Sequence, residues 1–142
     1  MKPPSLIFTL ILSVFLTSCV GTIQTYEGPE LPPEKVALVQ VTPNPHVRYL
    51  MNLTIARIVA VDDARDDLTL KNVAVLPGEH AIMIRLERCN PLWCTYKRKS
   101  VTLDAEAGHI YIVNGKIIDY DNYFAWIVDK ETGLIVAGAK PD

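Results

Sequence analysis

The residues best equipped for chemistry are His46, His80 and His109. Glu79 stands directly before His80, and Glu106 three positions before His109. An imidazole oriented by a carboxylate is the ordinary arrangement of a general base. Both histidines, however, start strand-like runs just after turns, where a solvent-facing or hydrogen-bonded role is the expectation. His46 is isolated in a turn between Pro45 and Val47. Separations of 34 and 29 residues leave convergence on a metal as an alternative that only the fold decides. Asp62, Asp63, Asp66 and Asp67 form the densest acidic cluster, but it lacks the alternating ligands, the central glycine and the closing glutamate of an EF-type calcium loop. A solvated loop is expected there. No G-x-S-x-G, H-E-x-x-H or phosphate-binding loop occurs, so no catalytic residue, metal or cofactor is assigned.

Aromatic side chains offer a second kind of chemistry, recognition. Tyr120, Tyr123, Phe124 and Trp126 lie within seven residues, and Trp93 stands apart between two cysteines. Strand alternation puts Phe124 and Trp126 on one face, read as core, and Tyr123 on the other. Trp93, Tyr120 and Tyr123 are thereby left as candidates for contact with a partner or a glycan.

The N-terminus combines Met1 and Lys2 with an apolar run from Leu6 to Leu16 and then Thr17-Ser18-Cys19. Eleven helical residues span about 16 Å, half a bilayer core, which argues against a transmembrane anchor. A cysteine directly after two small residues resembles the lipobox of bacterial lipoproteins. The resemblance implies cleavage before Cys19, a thioether-linked diacylglycerol on its sulfur and a further acyl chain, such as palmitate, on its new amine. Two or three chains, at about 0.8 kcal/mol per buried CH₂, hold a protein firmly where one does not. Val20 takes the place where an aspartate marks retention at the inner membrane, so the resemblance leans toward the outer membrane and its periplasmic face. Residues 1–18 are thus expected to be signal peptide, 19–33 a lipidated, Gly- and Pro-containing tether, and 34–142 the folded domain.

With Cys19 assigned to lipid, Cys89 and Cys94 remain as an even pair outside the cytoplasm, where oxidation is permitted. Asn90-Pro91-Leu92-Trp93 carries turn chemistry between two strand-like runs, His80 to Arg88 and Thr95 to Leu103. A disulfide stapling a hairpin tip is expected. The x₄ spacing supports neither a thioredoxin-like site nor structural zinc.

What must position these residues is a set of short strands. The chain has 142 residues, 49% apolar and 21% charged, with a net charge of -2, which suits one ordinary domain and excludes a disordered tail or a nucleic-acid arm. Without Lys2 the mature charge is near -3, with no net field for nucleic acid or anionic lipid. Strands are read at Lys35 to Val41, Tyr49 to Val61 and Leu68 to Leu76. Ile82, Ile84 and Leu86 alternate with Met83, Arg85 and Glu87, a half-buried strand. Lys97-Arg98-Lys99 guards the first half of the next strand against edge pairing. Asn114-Gly115 predicts a hairpin between His109 to Val113 and Lys116 to Ile118. A last hairpin joins Tyr123 to Val128 with Leu134 to Ala137. Seven or eight short strands with no long helix imply an all-β antiparallel sandwich.

Val59 to Asp63, Leu76-Pro77-Gly78-Glu79-His80 and Ala107-Gly108-His109-Ile110-Tyr111 resemble the turn layout of PEGA-like and transthyretin-like β-sandwich modules of bacterial envelope proteins. The segment from Trp126 to Gly138 looks like the terminal hairpin of small Gram-negative lipoproteins. The resemblance implies a fold and a compartment and carries no catalytic residue. The functional expectation is a membrane-anchored, non-catalytic interaction or envelope-assembly module with an envelope protein as partner. A small-ligand or metal binder, or a hydrolase, is the alternative.

Overall fold

Period-2 burial organises the molecule. Ile82, Ile84 and Leu86 are buried as the alternation requires, and so are Val101, Leu103 and Ala105 on the next strand. The computed structural model describes residues 21–42, 52–70 and 72–142, without the side chains of 65–70. The lipobox, the Pro43-Asn44-Pro45 turn and His46 lie outside the described residues.

Ten strands are present among the described residues: β1 (Thr22–Gln24), β2 (Ala37–Val41), β3 (Thr54–Val61), β4 (Ala64–Leu70), β5 (Asn72–Val75), β6 (Gly78–Cys89), β7 (Cys94–Ala105), β8 (Ile110–Ile117), β9 (Tyr123–Asp129) and β10 (Ile135–Gly138). One sheet has the order β1-β5-β2-β8-β9-β10 and the other β4-β3-β6-β7. The two pack face to face as an all-β sandwich. Its core runs from Ile58, Ile84, Leu86 and Leu103 on the four-stranded sheet to Val39, Val75, Tyr111 and Ile127 on the six-stranded one. Each such side chain contributes about 1.5–3 kcal/mol by leaving water. Among the described residues no helix is long and apolar enough to cross a membrane.

Four details differ from the sequence expectation. The six-stranded sheet is mixed, because β1 pairs parallel with β5 and β2 parallel with β8. The stretch assigned to a tether is partly built into the fold: Thr22–Gln24 is an edge strand and Pro33–Lys35 a 3-10 turn. The run read as one strand from Leu68 to Leu76 is two, β4 and β5, in different sheets. Its apolar phase shifts from even positions at Leu68 and Leu70 to odd ones at Val73 and Val75, which is the mark of the crossing. Finally, Asn114-Gly115 makes no hairpin and β8 runs straight through it. Gly115 is there for close approach, since a Cβ at this position would collide with the Leu86 side chain.

The strand directions give the sandwich two distinct ends. One carries the β6–β7 tip at Cys89 and Cys94, the β8–β9 turn after Ile117 and the start of β3, while β1 and β5 begin level with Ile112, five residues short of Ile117. The other carries the β3–β4 turn at Asp62-Asp63, the entry to β6 at Gly78, the link from Ala105 to His109 and the turn after Asp129.

Candidate functional site

At the first end, β6 and β7 stay in register up to Cys89 opposite Cys94, and the two sulfurs are joined as a disulfide. Between them, the Asn90 N–H donates to the Trp93 carbonyl at 2.9 Å. The Asn90 Oδ1 accepts from the Leu92 and Trp93 N–H groups at 2.8 and 2.9 Å. This is an Asx turn inside a covalent loop, so the tip is closed by its own groups. It leaves Leu92 92% and Trp93 70% exposed.

The neighbouring β8–β9 turn is built the same way. Asp119 Oδ1 accepts from the N–H groups of Asp121 and Asn122 and from the Asn122 side chain. The Asn122 amide, followed by these backbone N–H groups, holds the Asp119 carboxyl below its usual range, though burial pushes slightly the other way. Tyr120 projects from this turn and is 76% exposed.

Arg88 ties the two turns together. Its Nη1 donates to the carbonyls of Ile117 and Ile118, both at 2.9 Å, and its Nε to Asn52 Oδ1 at 3.1 Å. The Ile117 N–H in turn donates to Thr54 Oγ1. Where β7 runs past the core, its inward positions carry Lys97 and Lys99 in place of apolar residues. Lys97 Nζ lies 3.4 Å from the Tyr120 ring centre and 5.3 Å from that of Tyr123. A cavity of about 260 Å³ opens between Trp93 and Tyr120 over Arg88 and Asn52. It adjoins a shallower one of about 520 Å³ that reaches Leu53, Ile118 and Trp126.

Two of the aromatic candidates, Trp93 and Tyr120, are thus brought to one cavity from separate turns. Tyr123 is not: it is half-buried against the core. The expected faces of β9 are reversed, because Ala125 and Ile127 enter the core while Phe124 and Trp126 are half-buried on the outer face. Arg88, Asn52 and Asp119 escaped sequence reading. The Asp119-to-Asn122 spacing is a turn signal in hindsight, but the reach of Arg88 across 29 to 36 residues leaves no local trace.

The histidines lie at the opposite end, each with its own carboxylate. His80 Nδ1 is 2.8 Å from Asp62 Oδ2 and its Nε2 is 2.7 Å from the Leu76 carbonyl oxygen. Burial raises the Asp62 carboxyl, but the His80 hydrogen bond and the Ala81 N–H outweigh it and the net position is lowered. His109 Nδ1 is 2.7 Å from Asp129 Oδ2, and its Nε2 is 3.7 Å from Glu106. The Asp129 hydrogen bond, aided by the charges of Asp129, Glu106 and Glu131, raises His109 above its ordinary 6.5 despite burial. The same bond lowers buried Asp129, with the Glu131 and Thr132 N–H groups adding to it. His80 is thus paired with Asp62 rather than with the adjacent Glu79, while His109 keeps the expected Glu106 at ion-pair distance and adds a hydrogen bond to Asp129. Both pairs close turns.

Among the described residues the only three donor side chains within metal-binding reach of one another are Glu87, Cys89 and Cys94. The two sulfurs are bonded to each other and have no thiolate to offer. Glu87 is occupied by Arg57, whose Nε lies 3.4 Å away. Asp62 of the acidic cluster is engaged with His80 and the Ala81 N–H, and Asp62-Asp63 is a two-residue turn rather than an open loop.

No family model, no curated protein and no solved structure matches the chain.

Proposed function

We propose that the chain is a lipoprotein of the cell envelope, held by an acylated Cys19 at the outer membrane and facing the periplasm. There it acts as a non-catalytic interaction module through its aromatic corner. The basic start, short apolar run and Thr17-Ser18-Cys19 support the anchor. The two-sheet architecture is compatible with the PEGA-like and transthyretin-like resemblance. The observation that carries the interaction reading is the corner itself. Two rings 27 residues apart in sequence flank one cavity, on turns braced by a disulfide, two Asx-type caps and Arg88. Rigid turns that hold large aromatic surfaces in water are the common form of a contact site. The histidine–carboxylate pairs are engaged in closing turns, which favours this reading over a hydrolase or a metal binder.

A photoreactive amino acid at Tyr120, introduced into the full chain in cells, tests the proposal. Expected is a discrete crosslinked species from position 120, absent from position 134 at the opposite end and lost in Cys19→Ala. A folded, membrane-fractionated protein that yields no adduct at 120 overturns it.

A further inference from the structure

The chain toward the anchor leaves the fold in the direction of the disulfide end. β1 runs away from that end, so the chain before Thr22 points toward Cys89, Cys94 and the β8–β9 turn, although in register Thr22 is level with Asn72, Gln40 and Ile112, five residues short of Ile117. Three residues separate Cys19 from Thr22, a reach of at most about 10 Å. From β1 to β8 there are three strand spacings, about 14 Å. Along the strand, Ile112 to Ile117 adds about 17 Å, so the corner projects beyond the level Cys19 can reach. A lipid on Cys19 therefore brings the corner to the same bilayer plane with the sandwich tilted toward its β1 edge.

The composition of this end matches that placement. Leu92, Trp93 and Tyr120 are its most exposed apolar side chains, with Leu53, Tyr96 and Ile118 also exposed around them. Trp and Tyr prefer the headgroup layer, where an apolar ring and a polar edge are both accommodated. Charge is segregated as well. Arg88, Lys97, Arg98 and Lys116 lie toward this end against Glu87, Asp119 and Asp121, while Asp62, Asp63, Glu79, Asp104, Glu106 and Glu131 gather at the other against Lys35 and Lys130. The mature charge near -3 conceals this polarity, and a basic, aromatic end complements anionic lipid.

We infer that the partner of the aromatic corner is the bilayer surface itself, with Leu92, Trp93 and Tyr120 in the interfacial layer and the surrounding Lys and Arg against anionic headgroups. This rests on the anchoring proposed above. A single lipid attachment leaves a domain free to tumble, whereas a second contact on the same plane fixes its orientation.

The test uses the lipidated full-length protein in vesicles of phosphatidylcholine and phosphatidylglycerol whose acyl chains carry bromine near the headgroup. The chain has two tryptophans, so Trp126→Phe leaves Trp93 as the sole reporter. Quenching of Trp93 by about two-fold or more is expected. Leu92→Asp, at a solvent-exposed position, should restore most of the emission. Vesicle flotation and the mass of the Cys19 peptide are read on the same sample. An unmodified Cys19 that does not float overturns the anchor, and this inference with it. A protein that floats yet leaves Trp93 unquenched overturns the docking alone, as does quenching that Leu92→Asp leaves intact. A photoreactive Tyr120 that couples to protein or glycan rather than lipid also overturns it.

Discussion

The two ends of the sandwich solve the same problem, closing short connections between strands, with different chemistry. At the histidine end the turns are closed by ionisable pairs, His80 with Asp62 and His109 with Asp129, and the exposed apolar side chains, Leu76, Leu134, Ile135 and Val136, are aliphatic. At the disulfide end they are closed by a covalent bond, two Asx-type caps and the Arg88 guanidinium, and aromatic rings stand in water. The first end is sensitive to pH through His109 and Asp129 and exposes no aromatic ring among its large apolar side chains. The second is closed without a histidine and presents a rigid display of aromatic rings. That division separates the groups that hold the fold from the groups free to touch something else.

The largest test of the difference is Arg88→Ala. It strands the carbonyls of Ile117 and Ile118 and the amide of Asn52, and is expected to cost about 3 kcal/mol in denaturant unfolding. A change below about 1 kcal/mol would mean the two turns are not braced through this residue. Next is Cys89→Ser with Cys94→Ser, expected to cost about 2 kcal/mol or less because the closed loop is short. Its amide exchange should rise at the tip and stay unchanged at His109.

The histidine end is sharpened by pH. His109 is raised, so its stabilisation is complete below about pH 6.5 and is lost as pH rises through its shifted value. Asp129 is lowered, so its share is present above about pH 3.8 and is lost as pH falls through its shifted value. The pair stabilises most between those limits, and the unfolding midpoint should decline on the alkaline side. His109→Ala should abolish that alkaline decline, and an unchanged slope would remove the pair from the account. The smallest effect belongs to Trp93→Ala, within about 0.5 kcal/mol of the parent in unfolding. A larger loss would show that the ring supports the turn rather than being displayed by it.

What the sequence discloses follows the same division. The β6 alternation at Ile82, Ile84 and Leu86 is readable because one face is buried and the other is not, and the Cys89 to Cys94 staple because its turn is local. β9 is misread because both of its faces are apolar. Phe124 and Trp126 outweigh Ala125 and Ile127 in bulk, and the buried Asp129 that shares the inward phase looks polar until His109 is seen beside it. Asn114-Gly115 carries a turn signal that tertiary packing overrides, since the glycine is needed under Leu86. Trp93 and Tyr120 are legible as displayed rings. Their meeting depends on Arg88 and on the closeness of two turns, which no window of sequence contains.

One feature of the sheet edge bears on mechanics. β1 holds by three paired positions, Thr22 to Gln24 against Asn72 to Ala74, continued by Thr25, whose N–H and Oγ1 donate to the Ala74 carbonyl, and it is the strand nearest the proposed lipid. A pull on the membrane attachment loads those few bonds first, while β2 and the rest of the sandwich stay intact behind the Pro33–Lys35 turn. Release of β1 would free the chain from Gly21 to Pro32, a strap of roughly 40 Å when extended. The protein would then work as an anchor with a weak latch, short when relaxed and long under tension.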